Sequence, residues 1–314
     1  MKSMVSIDQP LLAASASDQD LLAAISGRVS AYLSLTKPRL VLLVLVTVAV
    51  GFLLGPRGSA SHVSLSSLVA TLSGTALVAG GAGALNQWLE RDRDARMRRT
   101  ANRALPAGRL APSEAVVFGS VIALAGMAVL LVGANPLAAE VALVTFVLYV
   151  FAYTPLKTRT TLNTVIGAIP GALPPVIGWS AATGRLGVEA WALFLIVFLW
   201  QFPHFLAIAW IYRDDYQHAG FRMLTVGDAG GRMTGGQAVS YALALIPAGL
   251  LPAIVGLAGP IYFAGAMLLG VVYFVAAARF WLEASDRRAR RLLRASFVYL
   301  PTVLLLLLLN PVPY

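Results

Sequence analysis

Nine apolar runs decide what this chain can fold into. They occupy residues 39–54, 65–88, 115–133, 137–153, 164–181, 191–212, 238–257, 261–280 and 295–309. About 17–25 apolar residues cross the hydrocarbon of a bilayer as a helix, at roughly 1.5 Å per residue. The first run is short for a span and is expected to begin within 36–39. With 58% hydrophobic residues, only 12% charged ones and a mean hydropathy of +0.77, the chain reads as an all-α polytopic membrane protein with nine transmembrane helices. Residues 1–34 carry Asp8, Asp18 and Asp20 but few basic residues. They match neither an arginine-rich presequence nor a signal peptide. A cytoplasmic N-terminal tail is expected there, with an amphipathic lead-in over 21–35, ahead of one transmembrane domain at 35–314.

Charge sets the orientation. The net charge of +10 would raise nucleic acid as a partner for a soluble protein; here the bias of basic residues toward cytoplasmic loops explains it, and no nucleic-acid partner is expected. With the N-terminus cytoplasmic and the C-terminus outside, every Lys and Arg except Arg57 and Arg185 falls on the cytoplasmic side. The acids Glu90, Asp92, Asp94, Asp214, Asp215 and Asp228 gather in the loops after the second and sixth runs. Both loops open with an Arg-Asp pair, which suggests a weak repeat of four helices plus four, with a ninth added. The chain has no cysteine, which excludes disulfides, iron–sulfur clusters and thiolate metal sites. His62, His204 and His218 leave little room for a histidine-rich metal centre.

The stretch NQWLERDRDARMRRTANRALPAG at 86–108 concentrates the chemistry. Asn86, Glu90 and Asp94 recur every fourth residue, so on a continuing helix each turns roughly 40° from the last and the three stack along one face. An amide oxygen and two carboxylates are hard ligands of the kind Mg²⁺ prefers. Around them stand Arg91, Arg93, Arg96, Arg98, Arg99 and Arg103. Arginines alone could simply be a basic cytoplasmic loop. Acids and arginines together at a membrane surface suggest a metal-bound polyanion such as a diphosphate.

A second constellation, WQFPHFLAIAWIYRDDYQHAGFRML, fills 200–224. His204 and Asp215 are eleven residues apart, near three helical turns, and so are expected to share a face flanked by Tyr212 and Asp214. A histidine at membrane depth needs a partner: a neighbouring helix or a cavity. Between the two constellations, YTPLKTRTTLN at 153–163 carries Tyr153, Lys157 and Arg159. These cations fit a clamp on phosphate oxygens and equally a topology signal. The following GAIPGALPPVIGW at 167–179 cannot be one regular helix; broken backbone at this depth is tolerated where it lines a cavity.

These parts suit a lipid diphosphate, its tail among the helices and its head at the surface. A metal would neutralise the leaving diphosphate, cations would stabilise developing charge, and exclusion of water would protect an allylic cation. A transporter of anionic lipids or cofactors is the reading from another class, but it would need polar chemistry on both faces.

At these residues the chain resembles the intramembrane prenyltransferase superfamily that includes 4-hydroxybenzoate polyprenyltransferase. The resemblance covers roughly 30–310 and rests on TKPR at 36–39, the 86–108 stretch, YTPLKTRTTLN and PHFLAIAWIYRDDYQHAGFRML. Gln87 and Glu90 stand where many members carry Asp, and His204 stands near the Asp that usually opens the second motif. In all three the chain is similar to the heme O synthase branch, with Ala104 in place of that branch's usual Pro. The resemblance implies transfer of farnesyl from farnesyl diphosphate to the 2-vinyl group of heme B with addition of water. It implies a Mg²⁺ cofactor, with Mn²⁺ as a substitute, held by Asn86, Glu90, Asp94 and Asp215. Catalytic work would fall to these with His204 and Asp214, and diphosphate contacts to Arg91, Arg103, Lys157, Arg159, Tyr153 and Tyr212. It further implies a multi-pass protein of the bacterial inner membrane with its site facing the cytoplasm. Membrane lipid is an expected partner, and heme A synthase or terminal oxidase assembly are candidates to take up the product. A quinone-precursor ring as acceptor is the nearest alternative.

Overall fold

The computed structural model describes residues 9–55 and 64–312, with side chains from residue 20 onward. Lys2, Asp8, Arg57 and His62 lie outside the described residues, and the side chain of Asp18 is likewise not described. Thirteen helices follow one another: α1 (Gln9–Leu35), α2 (Pro38–Leu54), α3 (Leu65–Asp94), α4 (Pro112–Gly133), α5 (Pro136–Val147), α6 (Thr154–Leu156), α7 (Asn163–Ala172), α8 (Pro174–Thr183), α9 (Val188–Ile211), α10 (Arg213–His218), α11 (Arg232–Ile254), α12 (Pro260–Leu282) and α13 (Asp286–Leu309). A π-helical turn, Leu148–Tyr153, joins α5 to α6. Among the described residues there is no β-strand, only one isolated bridge between Ala258 and Pro311.

Eight helical segments are long and apolar enough to cross a membrane. They are α3, α4, α5 through α6, α7 with α8, α9, α11, α12 and α13. The run at 39–54 becomes α2, whose 17 residues are marginal; it is bent 45° from α1, and the count reaches nine if that pair is one span. The chain is therefore an all-α, multi-pass membrane protein.

Prolines set several of the boundaries. Pro38, Pro112, Pro136, Pro174 and Pro260 each sit in a first turn, where the missing N–H costs nothing. Pro174 also ends α7, because it has no N–H to donate back to the Pro170 carbonyl. The expected break in this span is thus real, and it is packed between neighbouring helices. Leu173, Pro174 and Pro175 are buried in protein, against α2 and α9. Gly178 allows that approach, since a Cβ there would fall on the carbonyl oxygen of Val48.

In a bilayer no hydrophobic gain holds one helix to another, so close backbone approach and dispersion must do so. The α3–α4 pair shows this directly. A Cβ on Gly81 would stand 2.5 Å from the carbonyl oxygen of Gly119. Beyond this pair, α9 packs against α7, α11 and α13, and α12 bridges α11 to α13.

The last turn of α1 docks on the helical domain. Ala31 and Leu35 are buried with Ala84, Leu105 and Leu110. Arg28 and Tyr32 both bond the Glu114 carboxylate, and the Gln87 amide donates to the Leu35 carbonyl oxygen at 2.8 Å. Gln87 thereby satisfies an orphan carbonyl at the end of α1 and secures the elbow before α2.

Candidate diphosphate and metal site

The C-terminal half of α3 carries the site. Asn86, Glu90 and Asp94 are all buried and all line one cavity of about 110 Å³. Each meets a cation from a different part of the chain. Lys37 Nζ donates to Asn86 Oδ1 at 2.7 Å. Lys157 Nζ stands 2.7 Å from Glu90 Oε1, and Arg103 Nη1 donates to Asp94 Oδ2 at 2.6 Å. Asp94 Oδ1 is buried with no hydrogen-bond partner.

Local backbone features place these cations. Lys37 is the one non-glycine described residue with positive φ, at 52°. Such a conformation costs about 1–3 kcal/mol, and it lies directly before Pro38, where the α region is also disfavoured. The elbow therefore stores strain where it aims an ammonium at Asn86. The π-turn does the same for Lys157. It turns Tyr149 and Tyr153 into the cavity and leads into α6, from which Thr154 accepts a hydrogen bond from Asn86 Nδ2. Single π-turns recur at functional sites because they re-aim side chains without ending a helix. Lys157 Nζ lies 4.5 Å from the Tyr153 ring centre. Burial alone would lower the Lys157 pKa, but the Glu90 carboxylate beside it raises it above its ordinary value.

The loop after α3 meets the segment after α9 across the cavity mouth. Arg99 lies 4.9 and 4.8 Å from the Tyr212 and Tyr216 ring centres and donates to the Tyr216 hydroxyl at 2.7 Å. Met97, Phe221 and Ala219 form a small buried cluster beneath this contact.

Several residues expected at the site stand elsewhere. Arg91 folds back onto the Trp88 carbonyl and Asp92. Arg159 is exposed and offers its backbone carbonyl, not its guanidinium, to Arg222. Helix α9 ends at Ile211, and Tyr212 leaves helical geometry. The continuous face expected to join His204 to Asp215 therefore does not exist. Short α10 turns Tyr216 toward the cavity, and Asp214, Asp215 and Tyr212 do not line it. Nor does His204, contrary to expectation; its Nδ1 is 2.7 Å from Ser296 Oγ on α13, and its ring stacks on Trp200. Asp228 accepts from the Thr234 N–H in the first turn of α11, a capping role. Among the described residues no three Asp, Glu, His or Cys side chains converge as a metal cluster. The oxygen donors brought together are two carboxylates and an amide. Spacing alone did not single out Lys37, Tyr149, Arg99 or Tyr216, because each reaches the cavity through a turn or a break.

The chain belongs to the UbiA prenyltransferase family, whose model matches residues 44–300. Among curated relatives, the protoheme IX farnesyltransferase of Solibacter usitatus is 46% identical over 285 residues, covering 89% of this chain and 98% of that one. That of Koribacter versatilis is 43% identical over 286 residues, covering 89% and 92%. Among solved structures, a digeranylgeranylglyceryl phosphate synthase superposes with a TM-score of 0.76 at 16% identity, over 90% of this chain and 98% of that one. A UbiA homolog from Archaeoglobus fulgidus bound to DMAPP and Mg²⁺ gives 0.63 at 16% identity, over 86% and 99%. These likenesses support the fold; the sequence relatives bear on the activity.

Proposed function

We propose that this chain transfers farnesyl from farnesyl diphosphate to the 2-vinyl group of heme B. The C1–O bond of the diphosphate breaks, and C1 bonds to a vinyl carbon. Water adds its oxygen to the other vinyl carbon and releases a proton, giving heme O and diphosphate. The observation that carries this reading is the α3 face, where Asn86, Glu90 and Asp94 each lie against a cation inside a membrane-embedded fold.

The donor set fits a divalent metal. The orphaned Asp94 Oδ1 needs a partner that the chain does not supply, and Asn86 and Glu90 offer further hard oxygens. Mg²⁺ is the natural ion, with Mn²⁺ as substitute, and when bound it would neutralise the leaving diphosphate. Lys37, Lys157 and Arg103 hold the empty ligands; with diphosphate present they turn to its oxygens. Tyr149 and Tyr153 wall the cavity and keep water from the reacting carbon. We place the site on the cytoplasmic face of a bacterial inner membrane, N-terminus inside, because the described basic loops lie at this end. His204 belongs to the acceptor and not to the diphosphate.

The test is direct. Protein in lipid nanodiscs, given farnesyl diphosphate, heme B and Mg²⁺, should yield a product with the mass of heme O. The yield should vanish in EDTA and return with Mg²⁺ or Mn²⁺. A product only with 4-hydroxybenzoate, or undiminished turnover in EDTA, would reject the acceptor or the metal respectively.

A further inference from the structure

His204 is set by its neighbour. The Ser296 hydroxyl has one hydrogen, and it donates that to the Leu293 carbonyl at 2.6 Å. Toward His204 it can therefore only accept, so the imidazole proton sits on Nδ1. The other nitrogen, Nε2, keeps its lone pair and has no hydrogen-bond partner among the described residues. This is the arrangement of a metal-binding imidazole, in which one nitrogen donates to a fixed partner and the other is left for the ion.

The surroundings are apolar: His204 is itself buried, 8% exposed, and two phenyl rings stand edge-on to its imidazole. Phe205 and Phe297 lie 5.3 Å from the His204 ring and are 38% and 52% exposed. Above them, toward the basic end of α13, Arg290 and Arg294 precede Phe297 by seven and three residues and so share its helical face. Both are exposed, as is Arg287 one turn further from Ser296, and both have no carboxylate partner among the described residues; Arg294 Nε donates to the Arg290 carbonyl oxygen at 3.4 Å, and Arg213 and Arg288 are tied to Asp286 and Glu283. Along the helix they stand about 9 and 3 Å from Ser296 at 1.5 Å per residue.

We propose that this α9–α13 face is the heme dock, with Nε2 of His204 toward the iron and Arg290 and Arg294 holding the propionates. The proposal rests on heme B being the acceptor. An aromatic wall around an imidazole with one nitrogen left over matches the macrocycle, and two guanidiniums without a carboxylate partner match its two carboxylates. Propionates held at the basic end leave the vinyl edge pointing into the membrane. Asn86 lies eight residues from the end of α3 at Asp94 and His204 seven from the end of α9 at Ile211, so the two sit about 12 and 10 Å below those ends. The vinyl group and the diphosphate-bearing carbon would then meet at a common depth. Ser296 acts as a positioning residue through His204.

Heme B and its dimethyl ester are titrated, by Soret absorbance, into the wild type and into Arg290→Gln/Arg294→Gln, in nanodiscs of zwitterionic lipid. The wild type should bind heme B about tenfold more tightly than the diester, and the double variant should bind the two alike. His204→Ala and Ser296→Ala should each shift the Soret band of bound heme, and Ser296→Thr should restore it. Equal wild-type affinity for acid and ester, an unchanged double variant, or an arginine effect seen only in anionic lipid would overturn the dock. In those cases wild-type heme O formation would stand. If the wild type forms no heme O but prenylates another acceptor, the acceptor reading fails and the dock falls with it.

Discussion

The ends of α3 and α9 look alike in sequence and have opposite structures. Each follows an apolar run, carries an Arg-Asp pair and turns into a basic loop. Yet α3 stays helical through Asp94 and buries Glu90 and Asp94, leaving only Asp92 outside, whereas α9 stops at Ile211 and leaves Asp214 exposed and Asp215 half-buried on a six-residue helix. Continuity is what separates them. Four-residue spacing on an unbroken helix gathers ligands, and one residue outside helical geometry scatters them. One end gathers two carboxylates and an amide against three cations; the other brings a tyrosine to the same cavity.

The sharpest way to break that contrast is to neutralise acids on both sides. Glu90→Gln and Asp94→Asn should each lower turnover by about 100-fold or more, the scale of losing a group that acts on transition-state charge. Asp214→Asn and Asp215→Asn should change it less than about fivefold. Rates of heme O formation would decide it, with detergent-resistant folding checked by circular dichroism. An Asp215→Asn loss equal to that of Asp94→Asn would mean both ends hold the metal.

Lys157 and Arg159 repeat the contrast within one loop. Lys157→Gln leaves Glu90 buried without its cation, which should cost about 3–5 kcal/mol of stability and weaken farnesyl diphosphate binding. Arg159→Gln should stay within about 0.5 kcal/mol. The sign of the pH dependence follows from the raised Lys157 pKa. Its contribution is fully present below the unfolded value of about 10.4 and is lost only as pH rises through the higher folded value. Thermal stability from about pH 6 to 9 should therefore show no step removable by Lys157→Gln.

A smaller effect is expected where the two ends touch. Arg99→Ala removes the guanidinium between Tyr212 and Tyr216 and should raise KM for farnesyl diphosphate about three- to tenfold, with kcat nearly unchanged. A fall in kcat alone would instead make Arg99 part of the chemistry. The smallest effect belongs to Ala104→Pro. The buried Ala104 offers its carbonyl to Arg109 and Leu110, while its N–H donates to no backbone carbonyl among the described residues. Melting should shift by less than about 1 kcal/mol equivalent.

What was legible in the sequence follows from periodicity. Apolar runs announced the spans, the prolines of 167–179 a break, and the 86–90–94 spacing the buried ligand face. The misplacements share a different cause. Tyr212 looks like any interfacial residue, so nothing in the chain announced that α9 would stop there, and His204 was carried to the wrong neighbour. Lys37 was visible within TKPR, but only its left-handed backbone shows where it points. Arg159 and Lys157 differ by two residues in sequence, and by the one turn that buries a single member of the pair.

The glycine contact between α3 and α4 bears on how the site answers to its membrane. With Gly81 seated against Gly119, the two helices cannot slide past one another without a steric collision. A thicker or thinner bilayer can tilt this pair, but only as a single strut. Asn86, Glu90 and Asp94 ride on that strut beyond Gly81, so their spacing from one another is indifferent to bilayer thickness. Only their height relative to the lipid headgroups varies, and with it the length of isoprenoid tail that lies comfortably in the hydrocarbon while its diphosphate is held.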